Sequence, residues 1–272
     1  MSAASPLTPP APRERGPGYA LAGGLVITAI AVVIGGLLFA GLLLATRGPG
    51  APDLLPADVQ LYAATTPNIG GVVEVDQLRR TLRDGLGVAE PDVLVAPIET
   101  LLGVSLREGV APWLGSEVAV AVRGADPARL QSAEPGAALL EHAEVLFLFA
   151  SRNDPQALAF LDQHRAAREA RGETIASVER NGATISYAEG GEPGPIAAFA
   201  LVHHYVVFAN RPEAIERLAM ADGGMGPTLA QTPAFVRFQE NRTAARAGAI
   251  YTDGTPAAEA ARTALREVLM TR

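Results

Sequence analysis

The longest apolar stretch in the chain runs from Tyr19 to Ala45, roughly 27 residues without a charge. At ~1.5 Å per residue this is ~40 Å of helix, more than the ~30 Å hydrocarbon core of a bilayer. A cleavable signal peptide has an apolar region of only ~7–15 residues and a small-residue cleavage motif. The pattern therefore predicts an uncleaved transmembrane signal anchor over residues 19–46. Arg13 and Arg15 precede the run, whereas the next arginine after Arg47 is Arg79. The positive-inside rule then places residues 1–18, a proline-rich tail, in the cytoplasm and the bulk of the chain outside it. The other continuous apolar runs, Val145 to Ala150 and Ile196 to Val202, are strand-sized, so a single span is expected.

Residues 47–53, with Gly48, Pro49, Gly50 and Pro52, read as a Gly/Pro linker that ends the membrane helix. A domain is expected over 54–272. Val59–Thr65 has the pattern of a strand. Val75, Leu78, Leu82 and Leu86 follow at the spacing of an amphipathic helix, and a second helical stretch covers Pro91–Leu102. Val118–Val122 is a further strand, and Gly124–Gly136 reads as a loop or insertion. Val145–Ala150 is apolar throughout, as a strand covered on both faces must be, and Asp154-Pro155 supplies an N-cap and first-turn proline for a helix to about Arg171. Thr174–Glu179 and Ala183–Ala188 flank Asn181-Gly182, a strong hairpin signal, although Ile175 and Val178 are out of phase. Ile196–Val202 and Tyr205–Ala209 form another pair joined at His203-His204. Pro212, Thr232-Pro233 and Thr255-Pro256 each open a helix, the last carrying Ala258, Ala261, Leu265 and Val268. The predicted fold is α+β: a mostly antiparallel sheet with helices on one face, preceded by one N-terminal transmembrane helix.

Composition narrows the function. Hydrophobic residues make up 49 % and charged ones 19 %, which excludes a disordered chain or a charged coiled coil. With no cysteine there is no disulfide scaffold, thiolate metal site, thiol nucleophile or lipidated cysteine. All 22 basic residues are arginine, which removes lysine chemistry. The tail carries +1 of the net −7, leaving −8 beyond it, and so acidic a domain makes nucleic acid a poor partner.

Candidate chemistry is sparse. His203 and His204 are the only histidine cluster, yet neighbours in a strand point to opposite faces, so they are weak ligand candidates beside the reading of an ordinary polar turn. His142 and His164 stand apart from any nucleophile motif. Ser116 lacks the second glycine of a Gly-x-Ser-x-Gly elbow, and the pairs Gly70-Gly71, Gly190-Gly191 and Gly223-Gly224 do not make a dinucleotide fingerprint. No cofactor and no metal is expected. Glu141 with Glu144 could act as acid and base if a cleft brought them together. Pro112, Trp113, Leu114 and Gly115 form a structural motif ahead of the Val118 strand, with Trp113, the only tryptophan, anchoring a turn in preference to serving as a ligand platform. In the apolar run, Ala20 with Gly24, Ala31 with Gly35 and Gly36 with Ala40 have the small-xxx-small spacing that would let two copies form a homodimer through this helix.

Leu55-Pro56-Ala57-Asp58 leading to Tyr62, Pro112-Trp113-Leu114-Gly115 before Glu117-Val118-Ala119-Val120, and Arg152-Asn153-Asp154-Pro155 with Ala159-Phe160-Leu161 form a dispersed pattern. It continues in Phe208-Ala209-Asn210-Arg211-Pro212-Glu213-Ala214 and in Thr228-Leu229 with Pro233-Ala234-Phe235. Together with the N-terminal apolar run, it resembles a family of bacterial membrane-anchored proteins, domain of unknown function 3352. The resemblance implies an extracytoplasmic α+β domain with no assigned activity and no catalytic residues to transfer. Members are typically longer, so the chain would match their N-terminal half.

These readings converge on a single-pass membrane protein whose outer domain binds a protein or other component of the cell envelope without catalysis. The alternatives are a carboxylate-dependent envelope hydrolase, which requires two acids ~5–9 Å apart in a deep pocket, and a small-ligand sensor, which requires an apolar cavity of ~300 Å³ or more.

Overall fold

The computed structural model describes residues 50–65, 102–130, 134–190, 196–220, 226–241 and 248–270. The transmembrane span expected over 19–46, the tail before it and the helices expected around Val75–Leu86 and Pro91–Leu102, apart from Leu102 itself, lie outside these residues. Among the described residues no helix is long and apolar enough to cross a membrane.

The first element is a single helical turn, α1 (Ala51–Leu54), followed by β1 (Val59–Thr65). After a π-helical turn at Leu106–Val110 come β2 (Leu114–Arg123), two short helices, α2 (Pro127–Leu130) and α3 (Pro135–His142), and β3 (Glu144–Ser151). The long helix α4 (Asp154–Ala170) leads into β4 (Ile175–Arg180), β5 (Ala183–Ala188), β6 (Ala198–Val202) and β7 (Tyr205–Ala209). Helix α5 (Pro212–Ala219), a 3-10 turn at Leu229–Gln231, α6 (Pro233–Glu240), β8 (Gly248–Thr252) and α7 (Pro256–Met270) complete the described chain. One sheet contains all eight described strands in the order β4-β5-β6-β7-β3-β2-β1-β8. Every pairing in it is antiparallel.

The expected single helical layer is corrected to two. Val118, Val120, Val145, Phe147, Phe149 and Phe208 face a core closed by residues of α2, α3, α4 and α7. Ala119, Ala121, Leu146, Leu148, Val207 and Ala209 face a second core closed by α1, α5, the 3-10 turn and α6. Burial on both sides explains the unbroken apolar run of β3, which lies inside the sheet between β7 and β2. It also explains the phase break in β4: Ile175 joins the first core while Val178, three residues on, packs against the second.

Three further differences have local causes. Gly124–Gly136, expected as a loop or insertion, contains α2 and the start of α3, and Leu130 of α2 and Leu139 and Leu140 of α3 are buried. Adjacent leucines do not give a 3.6-residue stripe, so periodicity hides this helix. Strand β8 follows a helix and is too short to stand out, and its pairing with β1 makes it an edge. Ala51–Leu54 form a helical turn that overlaps the stretch expected as linker, because Ala51 and Leu54 are buried in the second core.

The hairpin at Asn181-Gly182 has the expected form, with φ of 47° and 78°. These are the positive values a type I′ turn requires.

Candidate functional site

The two motifs singled out in the sequence meet at one end of the sheet. Leu114 is the register partner of Ser151 at the end of β3. The Ser151 N–H donates to the His204 carbonyl at 2.6 Å. The turn before β2 and the turn between β6 and β7 therefore flank the same strand end.

Within the first motif, Pro112 is exposed, whereas Trp113 is only 1 % exposed. The Trp113 indole N–H donates to the Gly109 carbonyl at 2.6 Å, and its ring packs on Phe160 of α4 with centroids 5.0 Å apart. Leu114 and Gly115 are buried beside it. Arg152 closes the turn from outside by donating to the carbonyls of Pro112 at 3.0 Å and Ala111 at 3.1 Å.

His203 and His204 are the two central residues of the β6–β7 turn, with φ of 48° and 66°. Both are left-handed without being glycine, a conformation that costs roughly 1–2 kcal/mol per residue. His204 Nδ1 lies 2.5 Å from Asp154 Oδ2, with its side chain 69 % exposed. Asp154 is available for this contact because the N-cap of α4 is Asn153, one residue earlier than expected: its side chain accepts from the Gln156 N–H. Among the described residues no group of three or more His, Asp or Glu side chains is placed to hold a metal ion.

A third component was not foreseen. The register of β2 shifts between Leu114 and Val118, a bulge of the kind that re-aims side chains, and Glu117 lies within it. Its Oε1 accepts from the Tyr62 hydroxyl at 2.7 Å, and its Oε2 accepts from the Tyr205 hydroxyl at 2.5 Å and from the Ala51 N–H at 3.0 Å. Burial, and then the Glu117 carboxylate, push the Tyr205 hydroxyl far above its usual pKa of 10, so it remains a donor. One half-buried carboxylate thus links β1, β2, β7 and the first turn of the described fold. A charged residue at the head of an apolar strand was the available signal, but its three donors come from distant parts of the chain.

The carboxylates considered for acid–base work do not converge. Glu144 is held by Arg123 at 3.0 Å and by Arg217, while the Glu141 side chain is 66 % exposed next to His142. Asp58 binds the same Arg123 at 2.7 Å, and that guanidinium holds its carboxyl below the usual range. Glu144 is therefore part of an ion-pair chain at the other end of the sheet.

His164 is buried in α4. Its Nδ1 lies 2.7 Å from the Leu102 carbonyl, which can only accept, so Nδ1 carries the proton. Phe160, Phe199 and Phe208 surround the ring, and Nε2 has no hydrogen-bond partner. Burial pulls its pKa from 6.5 down to about 4.

A family model of proteins of unknown function, DUF3352, matches residues 22–270. The chain belongs to that family. The match spans most of the apolar run and every described element, including the Trp113 turn, Glu117 and the His203-His204 turn, so these are features of a DUF3352 protein. No curated protein matches the chain, and no solved structure does.

Proposed function

We propose that this DUF3352 protein is a single-pass membrane protein. Residues 19–46 cross the bilayer, the tail lies in the cytoplasm, and the α+β domain sits outside, where it binds a partner protein of the cell envelope as a scaffold without turnover. The observation that carries the reading is the uncharged run from Tyr19 to Ala45, followed within six residues by a buried first turn at Ala51. Six residues of extended chain reach at most ~20 Å. The end of the sheet bearing Glu117, the Trp113 turn and the His203-His204 turn would then face the membrane at short range, with the acidic domain held beside the headgroups.

Three measurements test this. Added protease should degrade the domain in intact spheroplasts, and a reporter fused after Pro67 should be active only outside the cytoplasm. Protection of the domain until the spheroplasts are lysed would refute the topology. Crosslinking in membranes followed by pull-down should recover an envelope protein, and recovery of nothing above background would refute the scaffold role.

A further inference from the structure

The Glu117 knot joins the first described turn to β1, β2 and β7 at one end of the sheet. We infer that Glu117 is a clasp that fixes the first turn of the domain against β1, β2 and β7 and so sets the direction in which the chain leaves toward the membrane span. The orientation part of this inference rests on the membrane reading above, whereas the clasp itself does not.

The geometry supports a clasp over incidental surface bonding. Three donors converge on two oxygens of one carboxylate, and their residues lie 66, 55 and 88 positions away in the sequence. Bonds to an ionised acceptor are about twice as strong as neutral ones, and here they are partly shielded from water. The Ala51 N–H is the first backbone donor of α1. It has no intrahelical acceptor, since the first four N–H groups of a helix have none, and Glu117 supplies the acceptor from outside the helix. The Gly50 N–H is held by Asp53 at 2.9 Å, which keeps the turn compact. Ala51 and Leu54 insert into the second core beside Tyr62 and Tyr205, so the polar knot and the apolar contact act on the same short segment. Swivelling of the chain about Gly50 would break the Gly50 N–H bond to Asp53, and lifting the whole turn off the sheet would break the Ala51 N–H bond to Glu117. On the membrane reading, this holds Gly50 and Ala51, the described residues nearest the span, against one end of the sheet.

The test uses the full chain. In detergent micelles, amide hydrogen exchange of the 50–55 peptide should accelerate at least tenfold in Glu117→Gln and several-fold in Tyr205→Phe, with the 145–150 peptide of β3 unchanged. Equal exchange at 50–55 in wild type and variants would overturn the clasp, as would acceleration of both peptides together, which signals general loss of stability. Should Glu117→Gln fail to fold, Tyr205→Phe alone decides by the same criterion. In nanodiscs, a nitroxide on Ala128→Cys, in a chain with no other cysteine, should show a narrow range of distances to the bilayer that broadens in Glu117→Gln. An unchanged distribution would overturn the orientation role. Loss of the wild-type chain from the bilayer would refute the membrane reading while leaving the exchange result standing.

Discussion

His164 makes the stability of the domain depend on mild acid. It is neutral in the folded state, with a pKa near 4, and 6.5 is its ordinary value once unfolded. Above pH 6.5 neither state binds the proton, and below about 4 both do. Between these limits the unfolded chain takes up a proton that the folded one refuses, so stability falls as pH falls. The interval from 6.5 to about 4, at about 1.4 kcal/mol per pH unit, sets an upper limit of about 3 kcal/mol. The physical cause is that a cation would place an unpartnered Nε2–H among Phe160, Phe199 and Phe208, near the positive Arg168. The assay is urea unfolding of the full chain at pH 7.5 and pH 4.5. Trp113 fluorescence is the probe, because Trp113 packs on Phe160, one turn from His164. His164→Leu cannot titrate, so its difference from wild type isolates this group from the carboxylates common to both. At pH 7.5 the variant should be less stable by about 1–2 kcal/mol, having left the Leu102 carbonyl without its donor. At pH 4.5 the difference should have moved by about 2–3 kcal/mol in favour of the variant, enough to close the gap or reverse its sign. A gap that stays constant between the two pH values would refute the argument.

The other predictions concern packing and backbone. Trp113→Ala removes the largest fully buried side chain and a hydrogen bond to Gly109, and should cost ~3–5 kcal/mol in chemical denaturation followed by circular dichroism. A cost below 1 kcal/mol would mean that the turn does not depend on the indole. Gly103→Ala and Gly182→Ala separate two reasons for a glycine, since both have positive φ but only Gly103 is crowded. A Cβ there would lie 2.3 Å from the Ala167 Cβ of α4, whereas none would meet an atom within 4 Å at Gly182. Thermal unfolding should show a loss of ~1 kcal/mol at Gly182 and ~3 kcal/mol at Gly103. Equal losses would contradict the close approach to α4.

Much of the fold follows from local pattern. The alternation in β5, the unbroken apolar run of β3, the Asn181-Gly182 turn and the Pro-initiated helices α4 to α7 depend on residues within a few positions of one another, and that information is carried by the chain itself. The same holds for the two turn motifs, since Trp113 before a strand and His203-His204 between strands are visible as sequence. Where apolar residues serve two layers the pattern becomes ambiguous: the adjacent leucines of α3 and the out-of-phase Ile175 and Val178 of β4 acquire meaning only once helices cover both faces. The pairing of β8 with β1, the meeting of the Trp113 and His203-His204 turns at Ser151, the burial of His164 and the three donors on Glu117 were decided by tertiary structure alone. Each depends on contacts between residues tens of positions apart. Sequence spacing carries no record of such contacts, because a hydrogen bond or an aromatic cage needs proximity in space and is indifferent to distance along the chain.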